Sequence, residues 1–300
     1  MTRTWFITGA SRGLGRAFTT AALAQGDRVV ATARNTESLA ALADDRLTVL
    51  PLDVRDRESV LATVGEAFAA LGTIDVIVNN AGYGLVGAVE ELTEAQIRDQ
   101  METNFFGALW VSQAAVPHLR AQGSGHIVQI STVGAVGSLP LFGLYNASKW
   151  ALEGFSAALA DELRPFGIRV TLAQLGGFDT EWAKSSMRFA SAIPAYAQLR
   201  AAVLGMPDYP AATQGSADLS TGAPEANEPV SPTAESAPED GPEWTEAPPE
   251  VGAAGLIALV DMPNPPLRKI IGPGAHHMVT LALDQRRRDY AEDPEFTWPA

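Results

Sequence analysis

The 300-residue chain has no cysteine, so a disulfide framework and a thiolate metal site are both excluded. It also lacks a long apolar run. The longest near the C-terminal end, Val251 to Val260, falls well short of the roughly 20 residues that span a bilayer. The first residues enter a strand-like run almost at once and carry no signal-peptide hydrophobic region, so a cytoplasmic protein is expected. A third absence is local: no Lys or Arg occurs between Arg200 and Arg268. Residues 208–250 hold ten acidic residues, and without them the net charge of −14 becomes −4. Negative charge argues against a nucleic-acid partner, and most of it belongs to one segment.

That segment, 205–250, is rich in Pro, Ala, Glu, Ser and Gly and poor in large apolar residues. It cannot bury enough surface to offset its ordering entropy. A flexible acidic insertion is expected, locally anchored by Met206, Tyr209 or Trp244. It is either plain solvated chain, a lid over a substrate crevice, or a partner-recruiting segment.

The chain as a whole is 46% hydrophobic, and outside that segment it is strongly patterned. Strand-like runs at Trp5–Ile7, Arg28–Ala33, Leu47–Leu52, Ile74–Val78, His126–Ile130, Ile168–Leu175 and Arg268–Ile271 alternate with helical stretches. The helices are expected at Leu14–Gln25, Thr36–Ala43, Asp56–Leu71, from Thr93 onward, Tyr145–Arg164 and Val251–Val260. Asp56 reads as an N-cap, and Thr93 with Gln96 has capping-box spacing. Pro117 is expected to kink its helix or mark its last turns, and Pro165 with Gly167 to stop the next. The alternation predicts an α/β fold over residues 1–300, a single doubly wound parallel sheet with helices on both faces and right-handed crossovers. Ligands of such sheets lie beyond the carboxyl ends of the strands. The turn after the first strand, Asn79-Asn-Ala-Gly82 and Ser131-Thr132 would then share one crevice.

The first of these turns is Thr8-Gly-Ala-Ser-Arg-Gly-Leu-Gly15. Gly9, Gly13 and Gly15 allow a tight turn and a close approach to a ligand. The helix behind them offers unpaired N–H groups and a positive dipole end, which suits a pyrophosphate. The spacing is G-x-x-x-G-x-G rather than G-x-G-x-x-G.

Together with Asp53, Asn79-Asn-Ala-Gly82, Asn104 and Tyr145-Asn-Ala-Ser-Lys149, this turn resembles the short-chain dehydrogenase/reductase family. The resemblance covers residues 1–182 and resumes less specifically over 251–290. It implies an NAD(P)-dependent oxidoreductase that interconverts a carbonyl and an alcohol. A phenol with a pKa of about 10 is a poor acid–base at neutral pH, and a nearby ammonium lowers that value. Tyr145 is the candidate acid–base, and Lys149, on the same helical face, the group that tunes it. By the resemblance Lys149 also holds the nicotinamide ribose, and Asn104 positions a water in a proton relay behind it. The family has a serine about thirteen positions before the tyrosine to bind the substrate oxygen. Here that position is Thr132, which is favoured, with Ser131 the alternative. Ser11, Arg12, Leu14, Val54, Asn80, Ala81 and Gly82 join the cofactor-binding set, and Asp53 resembles the residue that accepts from the adenine amino group. After residue 175 the family's Pro-Gly is replaced by Gly176-Gly177. Thr180 could still hold the nicotinamide carboxamide.

An NAD site needs a carboxylate near the end of the second strand. The chain reads Ala31-Thr-Ala-Arg34 there, so Arg34 and Arg12 could form a fork around a 2′-phosphate. NADP(H) is favoured over NAD(H). The substrate is expected to be a hydrophobic carbonyl or alcohol, walled by Tyr83, Leu85, Val86, Leu139, Leu141, Phe142, Leu144, Phe178, Trp182, Met187 and Phe189. The run from Tyr145 to Gly154 is similar to members assigned to steroid- or retinoid-like substrates. Family resemblance also suggests a homodimer or homotetramer. His276-His277 reads as packing or surface rather than a metal site. The competing reading is a non-catalytic NADP(H)-binding redox sensor of the same fold.

Overall fold

The computed structural model describes residues 2–180, 186–210 and 246–298. Its centre is a seven-stranded, all-parallel sheet in the order β3-β2-β1-β4-β6-β7-β9. The strands are β1 (Thr4–Thr8), β2 (Arg28–Ala33), β3 (Leu47–Pro51), β4 (Val76–Asn79), β6 (Gly125–Thr132), β7 (Ile168–Leu175) and β9 (Arg268–Ile271). A separate two-residue ladder joins β5 (Leu85–Val86) to β8 (Arg188–Phe189). The order runs outward in opposite directions from β1 and β4, so the switch point, where ligands of such sheets sit, lies between these two strands.

The strands read as unbroken apolar runs because both faces are covered. Trp5 and Ile7 point to one face, where they pack with Phe18, Leu256 and Leu259. Phe6 points to the other and meets Val64, Phe68, Ile77 and Leu119. The first layer is built by α1 (Gly13–Ala24) and α8 (Pro249–Asp261), the second by α3 (Arg57–Leu71), α5 (Gly107–Gln122) and α6 (Gly143–Leu163). The remaining α-helices among the described residues are the short α2 (Glu37–Ala40), α4 (Glu94–Met101) and α7 (Ala197–Leu204), and the longer α9 (Ala275–Ala291).

Local chemistry accounts for several boundaries. Asp56 accepts from the backbone N–H groups of Glu58 and Ser59 at the start of α3. Thr93 and Gln96 satisfy each other's backbone N–H at the start of α4. Pro117 lies inside α5, which continues to Gln122 and ends at Gly123 in the left-handed region. The break in this long helical stretch falls earlier, at a π-helical turn over Glu102–Phe106 between α4 and α5. The helix expected over Thr36–Ala43 shrinks to Glu37–Ala40, and Ile74 is buried but precedes β4.

Candidate active site

The chain leaves β1 through Gly9 at φ 66°. A Cβ on Gly9 would stand 2.9 Å from the Ala81 Cα, and one on Gly15 only 2.2 Å from the Gly9 carbonyl oxygen. Both positions therefore require glycine. The Thr8 hydroxyl accepts from the N–H groups of Asn80 and Ala81, and Asn80 Nδ2 donates to the carbonyls of Thr8 and Gly9. Two turns distant in sequence thus form one cradle. The Asn80 amide ties the two turns of that cradle together. The N-cap residue of α1, Arg12, makes no side-chain capping bond, so the helix end offers its first N–H groups to an anion. Thr180 lies against Gly13, 3.5 Å from where its Cβ would be. Gly177 accepts from the Ala247 N–H, and Gly176 backs onto Ala275. The Ser11 carbonyl accepts from the Ser38 hydroxyl, Leu14 overlies Gly252, and Val54 is buried against Gly107. The cradle that a Cβ would fill and the uncapped helix end both fit a dinucleotide pyrophosphate.

The rim of the cradle is positive. Arg34 is only partly covered at the end of β2 and feels Arg55, Arg12 and Arg188. Burial, then repulsion from these arginines, lowers its pKa against the opposing pull of Asp53. Asp53 is held by Arg55, whose Nη2 donates at 2.7 Å and Nε at 3.1 Å. Burial raises the Asp53 carboxyl, but the hydrogen bonds from Arg55 outweigh it and leave the group below its usual range.

The residues expected to do chemistry converge on α6. Tyr145 and Lys149 are both buried, and the Tyr145 hydroxyl is hydrogen-bonded to Thr132. Lys149 Nζ donates to the Ile130 carbonyl at 2.8 Å and lies 3.7 Å from where a Gly82 Cβ would be. Ser131 and Thr132 both belong to β6, so their side chains alternate. Thr132 meets Tyr145, whereas the Ser131 hydroxyl donates to Glu153 at 2.7 Å. Asn104, in the π-helical turn, accepts from Tyr83 N–H and donates to the Tyr83 carbonyl and to Ser148 Oγ. Both its amide hydrogens are used, so its side chain fixes the Tyr83 backbone and α6. Burial, the largest influence, pushes the Tyr145 phenol up to about 12, with the Thr132 hydrogen bond pulling it down. Burial likewise pushes Lys149 down to about 8 against the attraction of Glu153. The expected lowering of the Tyr145 pKa by Lys149 does not prevail, because desolvation dominates and the amine is engaged by Ile130.

An apolar cluster surrounds Tyr145: Val86, Leu141, Phe142, Val203 and Leu204, with Leu139, Met187 and Phe189 packed against it. Leu141 adopts φ 70°, rare for an L side chain, and its carbonyl accepts from the Gly87 N–H. Four other expected wall residues are not part of this cluster: Leu85 is buried in β5, Leu144 is half-buried beside Tyr145, and Phe178 and Tyr83 lie elsewhere. The Phe178 ring is buried in the main core, in the notch left by Gly252 and Gly272. Tyr83 sits beneath the Arg188 guanidinium, 4.7 Å away, on the arginine rim. Trp182 lies outside the described residues, as does Trp244. Thr8, Ser148, Glu153 and Arg188 were not singled out from sequence. Only Glu153, four residues past Lys149, carried a spacing that could have marked it.

Residues 3–190 match the family description of the short chain dehydrogenases. The chain belongs to the short-chain dehydrogenase family. It is similar to the oxidoreductase BOA17 of Botryotinia fuckeliana, 45% identical over 192 residues that make up 63% of this chain and 70% of that one. The crystal structure of a short-chain dehydrogenase from Streptomyces avermitilis superposes with a TM-score of 0.79 at 35% identity, covering 97% of this chain and 95% of that one. A metagenomic short-chain oxidoreductase in complex with NADP is 31% identical, with a TM-score of 0.56 over 58% of this chain and 82% of that one. This short-chain dehydrogenase is thus an NAD(P)-dependent oxidoreductase on a Rossmann-like fold. Among its described residues no helix is long and apolar enough to cross a membrane.

Proposed function

We propose that this protein uses NADP(H) to interconvert a carbonyl and an alcohol on a hydrophobic small molecule, with Tyr145 as acid–base. One observation carries the reading: a buried tyrosine hydroxyl, bonded to Thr132 one turn from Lys149, at the floor of an apolar cluster. When bound, the nicotinamide supplies or accepts the hydride. The chain supplies the proton. With its pKa near 12, Tyr145 rests as a phenol at neutral pH and is ready to donate to a carbonyl oxygen during reduction. Thr132 presents a second hydroxyl to the same oxygen. Lys149, with a pKa near 8, is still mostly an ammonium at neutral pH and favours the phenolate left behind. Reduction should therefore weaken as pH rises through about 8, where that charge is lost. Gly9, Gly15 and the end of α1 would receive the pyrophosphate, and Arg12 and Arg34 a 2′-phosphate.

The test is NADPH oxidation over a panel of apolar ketones and aldehydes. Tyr145→Phe should lower kcat/KM by about 10³-fold while NADPH binding changes little. Carbonyl reduction at the parental rate by this variant would defeat the assignment. For the cofactor, Arg34→Asp should weaken NADPH binding about 10- to 100-fold and leave NADH nearly unaffected. Equal affinity of the parent for NADPH and NADH would overturn the preference.

A further inference from the structure

Glu153 stands one helical turn beyond Lys149, as Lys149 stands one turn beyond Tyr145, so the three share a face of α6. Its carboxylate is buried and fixed from three adjacent strands. Ser131 Oγ on β6 donates to Oε1 at 2.7 Å, Gln174 Nε2 on β7 to the same oxygen at 3.0 Å, and Arg268 Nε on β9 to Oε2 at 2.7 Å. Lys149 is buried beside it, and its hydrogen bond goes to a neutral carbonyl. A buried ammonium is costly without a counter-charge. The groups set around Lys149 are Tyr145 and Glu153 on its own helix face, the Ile130 carbonyl on β6 and, across Gly82, the neutral amide of Asn104 in the π-helical turn. Arg268 faces Glu153 from the far side, half-exposed. Among the described residues Glu153 is the anion that acts on Lys149.

We propose that Glu153 is a positioning residue for the reaction: clamped by Ser131, Gln174 and Arg268, its carboxylate supplies the counter-charge for the buried Lys149 ammonium. The catalytic consequence rests on the Tyr145–Lys149 reading above; the electrostatic part does not. The clamp matters because Ser131 and Gln174 hold Oε1 in the interior while Arg268 takes only Oε2. It also gives Ser131 a task distinct from that of Thr132.

The chain has three lysines, Lys149, Lys184 and Lys269. In the full-length protein labelled with 13C at the lysine ε-carbon, Lys149 can be assigned by a Lys149→Arg variant and titrated directly. Glu153→Gln should move its titration down by about one pH unit, and Glu153→Asp, which keeps the charge, should restore most of the shift. Arg268→Gln should move it in the opposite direction, and this half-exposed site carries the test if Glu153→Gln does not fold. A Lys149 titration unmoved by Glu153→Gln, or by Arg268→Gln where that variant stands alone, would overturn the proposal and leave Glu153 a structural staple. The pH profile of NADPH-dependent reduction then separates the two claims. If the upper limb moves with the resonance, both stand. If the resonance moves and the limb does not, the counter-charge stands and the Tyr145–Lys149 mechanism fails.

Discussion

The dinucleotide cradle and the segment that closes over Tyr145 are held together in different ways. The cradle is nearly all backbone: Gly9, Gly15 and the main chain of Asn80 and Ala81, locked by one threonine hydroxyl and one asparagine amide. The closing segment, residues 187–209, has a two-residue strand pairing at one end and is otherwise fastened by a buried side-chain knot. Arg200 Nη1 meets Glu91 Oε1 at 2.5 Å, and neither side chain has appreciable exposure. Glu91 also accepts from the N–H groups of Ile193 and Ala88 and from the Tyr209 hydroxyl, while Arg200 donates to the carbonyls of Pro207 and Ile193. A cradle of glycines and main chain tolerates little change of shape. A knot of charges tolerates shape changes but not the loss of one partner.

The sharpest way to break this contrast is to remove one charge. Arg200→Met should cost about 3–5 kcal/mol in urea unfolding, because it strands Glu91 in the interior. Replacing both partners, Glu91→Leu with Arg200→Met, should recover most of that loss. Burial pushes the Glu91 carboxyl up, but its hydrogen bonds to Ile193, Tyr209 and Ala88 and the charge of Arg200 outweigh this and leave it lowered. A lowered carboxylate stabilises the fold fully above its unfolded pKa of about 4.3 and loses that contribution as pH falls through its folded value. The parent should therefore lose stability on acidification below about pH 4, and the double variant should lose less there. A single variant as stable as the parent would show that the knot holds nothing.

A smaller effect is expected where the two regions meet, at the end of β6. Thr132→Val removes the hydroxyl bonded to Tyr145 and should lower kcat/KM by about 10- to 100-fold. Ser131→Ala loosens Glu153 and should cost a few-fold, with the Lys149 limb moving more than the rate. The reverse order would place the substrate hydroxyl on Ser131. Measuring both variants at a single pH would miss this difference.

Much of the first region was legible because its signals are local. The glycine turn, the Asn79–Gly82 stretch and the Tyr145–Lys149 spacing each fit within a few residues, and the strands of the sheet announce themselves as apolar runs. β2, β7 and β9 match their expected limits residue for residue. The buried side-chain knots were not legible, because their partners are remote. Nothing in the neighbourhood of Glu91 points to Arg200, 109 residues on, and nothing near Glu153 points to Arg268, 115 residues on. Phe178 is a related case: an aromatic on a loop beside a site reads as a wall, but the notch that accepts its ring is made by Gly252 and Gly272, far later in the chain. Met206 and Tyr209 were expected to anchor the acidic insertion, and they pack against the cluster around Tyr145. Residues 211–245 lie outside the described part.

The smallest effect belongs to a purely local device, and it calibrates the others. Asp56 caps α3 through two backbone N–H groups and sits on the exposed surface. Asp56→Ala should cost about 1 kcal/mol, the ordinary value of a cap, with no change in KM or pH profile. The cap answers only to residues two and three positions along, so the loss stays on α3. Arg200→Met, by contrast, should raise KM for the apolar substrate as well as reduce stability, because the segment it fastens carries Val203 and Leu204 against Tyr145. If the cap variant disturbed substrate affinity as much as the knot variant did, the closing segment would have no special hold on the site, and the difference between the two regions would be one of sequence distance alone.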